Sequence, residues 1–188
     1  MDVLMAALVA ALFAQASDRT PWCAALLGSR FARPVPVIAA LVIAIVVING
    51  LGAVAGALIG SMLTPEARAL LLALALVSAG AAALFKMKAP DALPDSRLGP
   101  LATGLLALLA LGIGDRTQFV TFALAARTPI PALAFVGATL GSLAVTIPAA
   151  LMEEAAWCRL PLGTIRIACC AVLTVAGLLI GLDALRLL

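Results

Sequence analysis

Gln15-Ala16-Ser17-Asp18-Arg19-Thr20 and Gly112-Ile113-Gly114-Asp115-Arg116-Thr117 are two stretches that share the tripeptide Asp-Arg-Thr, each inside a long apolar run. The copies lie 97 positions apart (115 − 18) in a chain of 188 residues, so the chain reads as a duplication. Charges at membrane depth are costly and by default mark a functional site with a partner to be found. A repeated charged motif in apolar surroundings therefore points to a duplicated membrane bundle, and transport is the first function to consider.

The rest of the composition agrees. Hydrophobic residues make up 65% of the chain, mean hydropathy is +1.23 and only 11% of residues are charged. A soluble domain is about a quarter charged, so an integral membrane protein is expected, with no separate soluble domain. The net charge of +3 is scattered and forms no basic run, which excludes nucleic-acid binding. Met1-Asp2-Val3 opens acidic and the apolar segment continues past Thr20, so a mature transmembrane helix is expected here and not a cleaved signal. Cys23, Cys158, Cys169 and Cys170 form no CxxC pair and read as small apolar residues between helices. Cys169 and Cys170 would point to different helix faces, against a shared metal. With no histidine in the chain, metal or proton chemistry must run on carboxylates, hydroxyls, amides and backbone carbonyls.

A bilayer core of about 30 Å needs roughly 20 apolar residues per helix. Six segments qualify: Val3 to Leu27, Val35 to Gly60, Ala67 to Phe85, Leu98 to Ala126, Ala132 to Met152 and Leu162 to Leu182. The first and fourth are interrupted by the Asp18 and Asp115 motifs. The one polar connection, Lys86 to Arg97, carries prolines and mixed charges and reads as a linker between two halves. The expected organisation is a three-helix repeat at 1–86, a linker at 87–97 and a second three-helix repeat at 98–188. Arg33-Pro34-Val35-Pro36 against Thr128-Pro129-Ile130-Pro131, and Pro65 against Pro161, serve as landmarks for aligning the halves. An odd number of helices per repeat makes the second copy enter from the opposite side. The expected fold class is therefore all-α, six transmembrane helices as an inverted 3+3 repeat, an architecture common among secondary transporters.

Positive charge suggests an orientation. Arg30, Arg33, Lys86, Lys88, Arg97, Arg159 and Arg166 fall on one side, and Arg68, Arg127 and Arg186 on the other. This bias predicts a cytoplasmic linker and both termini outside. Asp18 and Asp115 then approach the midplane from opposite faces and can meet at the repeat axis. With Thr20, Thr117, Gln15 and Gln118 they make an oxygen-rich site suited to hard divalent cations and not to thiophilic metals. Two neighbouring carboxylates can also exchange protons against metal. Pro21, Gly112 and Gly114 can break the helices there and free backbone carbonyls.

These residues resemble the Golgi and bacterial manganese/calcium–proton exchanger family. The likeness rests on Gly114-Asp115-Arg116-Thr117-Gln118-Phe119 on the first helix of a repeat, a short turn, and a helix with Gly137-Ala138-Thr139-Leu140-Gly141. The family carries Glu-x-Gly-Asp-Lys/Arg-Thr/Ser in both of two three-helix repeats. The resemblance covers nearly the whole chain. It implies export of Mn²⁺ or Ca²⁺ as a transported substrate against protons, with no permanently bound cofactor and no enzyme activity. It also implies a multi-pass location in a bacterial inner membrane and allows a homodimer. Asp18, Asp115, Thr20, Thr117 and Gln118 carry over as metal-site residues. Both motif glutamates are absent: Gln15, which carries over as a neutral oxygen ligand, and Gly112 stand at their positions. Ser17 replaces a motif glycine, and Pro21 stands where the second copy has Gln118. With Arg19 and Arg116 counted as counter-charges, the centre is formally neutral.

Two other readings fit the same residues. Cross-repeat ion pairs, Asp18 with Arg116 and Asp115 with Arg19, would lock the halves together in a family member that has lost transport and serves as a partner or scaffold. Gly112-Ile113-Gly114-Asp115 also spells the GxGD of intramembrane aspartyl proteases, with Asp18 as second aspartate. Four letters in a glycine- and alanine-rich chain carry little information, and neither the arginine after each aspartate nor the duplication suits that chemistry. Among the remaining polar residues, Asn49 could link helices or face the site, and Glu153-Glu154 read as a solvated helix end. The glycines Gly50, Gly52, Gly56, Gly60, Gly137 and Gly141 read as close-packing positions. Trp22 and Trp157 fit an interfacial belt.

Overall fold

The computed structural model describes residues 2–31, 34–85 and 99–187. Arg33, Lys86, Lys88, Arg97 and the linker at 87–97 lie outside the described residues, as does the side chain of Glu153. The described chain is all helical. Its elements are α1 (Asp2–Ala16), α2 (Arg19–Arg30), α3 (Pro34–Gly60), α4 (Pro65–Leu84), α5 (Pro100–Gly112), α6 (Arg116–Arg127), α7 (Pro131–Trp157) and α8 (Leu162–Ala184). α3, α4, α7 and α8 are each long and apolar enough to cross a membrane. The pairs α1–α2 and α5–α6 pass the same test jointly, bent by 66° and 65°. Counting each bent pair as one broken span gives the six crossings expected.

Local chemistry explains the boundaries. Pro34, Pro65, Pro100 and Pro131 each open a helix, where the missing N–H is not needed and the fixed φ suits the first turn. Thr64 caps α4 by accepting from the Ala67 N–H at 3.3 Å. The two breaks fall on the motifs themselves. Asp18 and Asp115 are the N-caps of α2 and α6, each accepting a hydrogen bond from the following arginine N–H. Gly114 reaches φ +83°, a left-handed turn that glycine adopts without penalty.

The halves share one register. α2 and α6, α3 and α7, and the starts of α4 and α8 all differ by 97 positions, the offset of the motif itself (116 − 19, 131 − 34, 162 − 65). Pro34 therefore matches Pro131, and Pro65 matches Leu162. The proline landmarks read from sequence were two and one positions off, because helix starts, not prolines, are what the two copies hold in common.

Each half grips the other. α7 packs on α1 and α2, α3 packs on α5 and α6, and α4 lies along α8. Small residues bring backbones together at these crossings, as the glycine spacing predicted. A Cβ added at Gly56 would strike the Phe122 carbonyl of α6, and one at Gly141 would strike the Leu8 carbonyl of α1. Cys23 and Cys169 are buried and unbonded, as expected of small apolar packing residues. The tryptophans differ from expectation. Trp22 and Trp157 pack with Ala25 and Ala149, and both indole N–H groups are buried without a partner among the described residues, so they are not belt residues. Glu153-Glu154 lie in the last turns of α7, which ends at Trp157.

Candidate metal centre

The site starts from the two breaks. α1 stops at Ala16, and Ser17 Oγ turns back to donate to the Ala14 carbonyl at 3.1 Å. Asp18 is then held by its own helix start: Arg19 N–H donates to Oδ1 at 2.7 Å, and Thr20 Oγ1 to Oδ2 at 3.3 Å. In the second half, Arg116 N–H donates to Asp115 Oδ1 at 2.5 Å. Both carboxylates thus have fixed orientations before any tertiary contact forms.

Tertiary packing then joins the two breaks. The Asp115 carboxyl lies near that of Asp18. Arg116 reaches across, with Nη2 3.6 Å from Asp18 Oδ1 and Nη1 donating to Ser17 Oγ at 3.4 Å. Thr117 Oγ1 donates to Gln15 Oε1 at 2.9 Å. α3 adds Asn49, whose Oδ1 lies 3.2 Å from Thr121 Oγ1. That hydroxyl already donates to the Thr117 carbonyl at 2.9 Å. It has one hydrogen, so an Asn49 amide turned to donate satisfies both contacts.

At the centre is a void of about 10 Å³, lined by the polar residues Gln15, Thr20, Asn49, Asp115, Thr117 and Ser142, with Ile45, Ile48 and Gly112. That is about the space of one water or one bare cation. Three pairs of repeat counterparts line it: Gln15 and Gly112, Thr20 and Thr117, Ile45 and Ser142, each 97 apart. Corresponding positions of the two halves thus line one void. Beside it, between α3 and α6, a cavity of about 380 Å³ is lined by Leu51, Gly52, Ala55, Gly114, Asp115, Gln118, Phe119 and Phe122. Asp115 lines both spaces.

Asp18, Asp115, Thr20, Thr117 and Gln15 are thus brought together as expected, and Arg116 joins them. Gln118 stands at the edge. Its Oε1 accepts from the Gly114 N–H at 2.7 Å and its Nε2 donates to the Ile48 carbonyl at 3.3 Å, so its amide braces the break against α3. Arg19 does not join: it is exposed and forms no ion pair among the described residues. The two bends are nearly equal, 66° and 65°, so the bend angle does not account for the difference between Arg19 and Arg116. Of the two cross-repeat pairs expected, Asp18–Arg116 forms and Asp115–Arg19 does not. The formal charge at the centre is accordingly −1, two carboxylates against one guanidinium, and not neutral.

Ser142 was missed from sequence, and Asn49 was only half seen. Each is a polar residue in an otherwise apolar stretch, and Asn49 is 2% exposed while Ser142 is 1% exposed. That polarity was the available signal. Among the described residues no group of three or more His, Cys, Asp or Glu side chains forms a metal cluster. The donor set is instead two carboxylates with amides, hydroxyls and carbonyls, all oxygen, which fits a hard cation.

Comparison with known proteins agrees with this chemistry. The sequence model of the family described as "Divalent cation/proton antiporter GDT1" matches residues 3–91 and 100–187, one stretch in each half. A Vibrio cholerae serotype O1 protein, provisionally named a manganese exporter, is 29% identical over 167 residues, covering 88% of this chain and 84% of that protein. No solved structure matches.

Proposed function

This chain belongs to the divalent cation/proton antiporter GDT1 family, and from that premise we propose that it exchanges a divalent cation for protons at the void lined by Asp115, next to Asp18. The observation that carries this reading is one oxygen-lined space lined from both motifs, by Thr20 of the first and Asp115 and Thr117 of the second, with Arg116 reaching Asp18 beside it. Mn²⁺ is the preferred cargo, by likeness to the Vibrio relative, with Ca²⁺ second. The direction is export, from the inner membrane of a bacterium. Residues 1–86 and 98–188 form an inverted repeat joined by a cytoplasmic linker at 87–97, with both termini outside.

Formal charge supports the coupling. Two carboxylates and Arg116 sum to −1, so one proton brings the centre to zero and a dication brings it to +1. Holding both at once would accumulate positive charge in a low-dielectric interior, where like charges repel strongly. Cation and proton therefore compete. Arg116 acts as the counter-charge that holds Asp18 between cargoes and yields when a cation arrives. The cavity beside Asp115 is the approach to the site, and the Gln118 brace separates it from the void. Alternating access then moves the two broken pairs against α3 and α7.

The Asp18–Arg116 pair also favours a second reading, a non-transporting member in which that pair only locks the halves. The intramembrane protease reading has no comparable support, since the family consists of antiporters. Purified protein in proteoliposomes, offered Mn²⁺ and Ca²⁺ separately with a pH dye inside, separates the first two. The expected outcome is cation-driven pH change that Asp18→Asn/Asp115→Asn abolishes. Silence from folded wild type in both cations would favour the locked reading.

A further inference from the structure

The central void has one lining residue whose chemistry the mechanism above leaves unused. Ser142 on α7 is 1% exposed, and its hydroxyl has no hydrogen-bond partner among the described residues. A buried hydroxyl without a partner is uncommon and costs stability, so its retention calls for a cause. The other polar lining residues are committed. Thr20 bonds Asp18, Thr117 bonds Gln15, and Asn49 contacts Thr121.

The repeat sharpens the contrast. The α3 counterpart of Ser142 is Ile45, which lines the same void and packs in the apolar cluster with Leu41, Ile48 and Leu108. Ser142 instead brings a hydroxyl to the void at the position where the first half brings an apolar side chain. The second half is short of oxygen at this level. Gly112 stands where the first half has Gln15, and the space next to it holds the Ile48 side chain, which a Cβ at Gly112 would strike. The oxygen missing from one helix of the second half is supplied by another, as a hydroxyl.

We propose that Ser142 Oγ is a direct ligand of the transported cation, and that this single neutral oxygen from α7 tunes which divalent cation the site accepts. The inference rests on the transport reading above and deepens it. A hydroxyl oxygen favours hard cations, whereas a thiolate at the same point would favour soft ones. Because α7 packs on both α1 and α2, a cation held by Ser142 also ties α7 to the Asp18 break.

The test is binding of Mn²⁺ and Cd²⁺ to detergent-purified protein, with free Mn²⁺ read by electron paramagnetic resonance and thermal unfolding followed with and without metal. Wild type, Ser142→Ala, Ser142→Cys and Asp115→Asn are compared. Ser142→Ala is expected to melt higher than wild type without metal, since it removes an unpaired polar atom. With metal it is expected to bind Mn²⁺ about tenfold more weakly, the loss of one ligand oxygen. Ser142→Cys is expected to shift the Cd²⁺/Mn²⁺ preference toward Cd²⁺, which a packing role for Ser142 would not do. Wild-type Mn²⁺ affinity in Ser142→Ala, together with an unchanged preference in Ser142→Cys, overturns the proposal while leaving the aspartate site standing. Failure of wild type to bind either metal overturns both, and Asp115→Asn marks what that loss looks like.

Discussion

Asp18-Arg19-Thr20 and Asp115-Arg116-Thr117 are the same three residues at the same repeat position, yet they have different surroundings. Asp18 is 6% exposed and is held by an arginine from the opposite half. Asp115 is half-buried and opens onto a cavity of about 380 Å³. Arg19 points out of the bundle, while Arg116 points in. Thr20 bonds within its own half, and Thr117 bonds across to Gln15. The next position adds to the difference: Gln118 braces the second break against α3, whereas Pro21 offers no side-chain hydrogen bond. Duplication supplied two equal motifs, and packing has divided the work, the first half furnishing an anchored carboxylate and the second an accessible one.

The largest test of that division separates function from stability. Asp18→Asn and Asp115→Asn are both expected to reduce transport to background in proteoliposomes. Only Asp18→Asn should also lower the unfolding temperature in detergent, because it leaves the Arg116 guanidinium without its pair. The loss would be on the order of 3 kcal/mol, the low end for breaking a buried pair, since Asp115 stays nearby. Equal stability losses in the two variants would erase the distinction between the halves. A smaller contrast lies in the arginines. Arg116→Gln should cut transport about tenfold, equivalent to roughly 1.4 kcal/mol, and Arg19→Gln should leave it near wild type. Unchanged transport in Arg116→Gln would remove its counter-charge role. The smallest effect is expected from Gln118→Ala, which frees the exposed Gly114 N–H and the Ile48 carbonyl at roughly 0.5 kcal/mol each. Asp115 should then react faster with a membrane-permeant carbodiimide, read by mass spectrometry, with Mn²⁺ protecting it. A rate equal to wild type would mean that Gln118 does not separate cavity from void.

The helices were legible because apolar runs bounded by proline carry their own signal. α3, for instance, was expected at Val35 to Gly60 and runs Pro34–Gly60. The breaks were legible too, from Pro21, Gly112 and Gly114, although in the first half the chain breaks at Ser17-Asp18 and Pro21 lies in the first turn of α2. The fate of Arg19 was not. Nothing in the tripeptide distinguishes it from Arg116, and the choice comes from tertiary packing. Ser142 was equally hidden: a serine among Gly141, Leu143 and Ala144 reads as packing until residues of five other helices are seen to line the same void.

What this sequence determined by itself is the set of local outcomes: six apolar spans bounded by proline, two breaks at the motifs, a membrane as solvent, and a duplicated motif. Each follows from neighbours along the chain, through backbone hydrogen bonding, proline and glycine geometry and the cost of apolar surface in water. The tertiary structure alone decided which of two identical charges faces inward, which oxygens share one void, and which hydroxyl is left for a cargo. Those are contacts between residues about a hundred positions apart, and electrostatic and hydrogen-bond energies depend on distances that only packing sets.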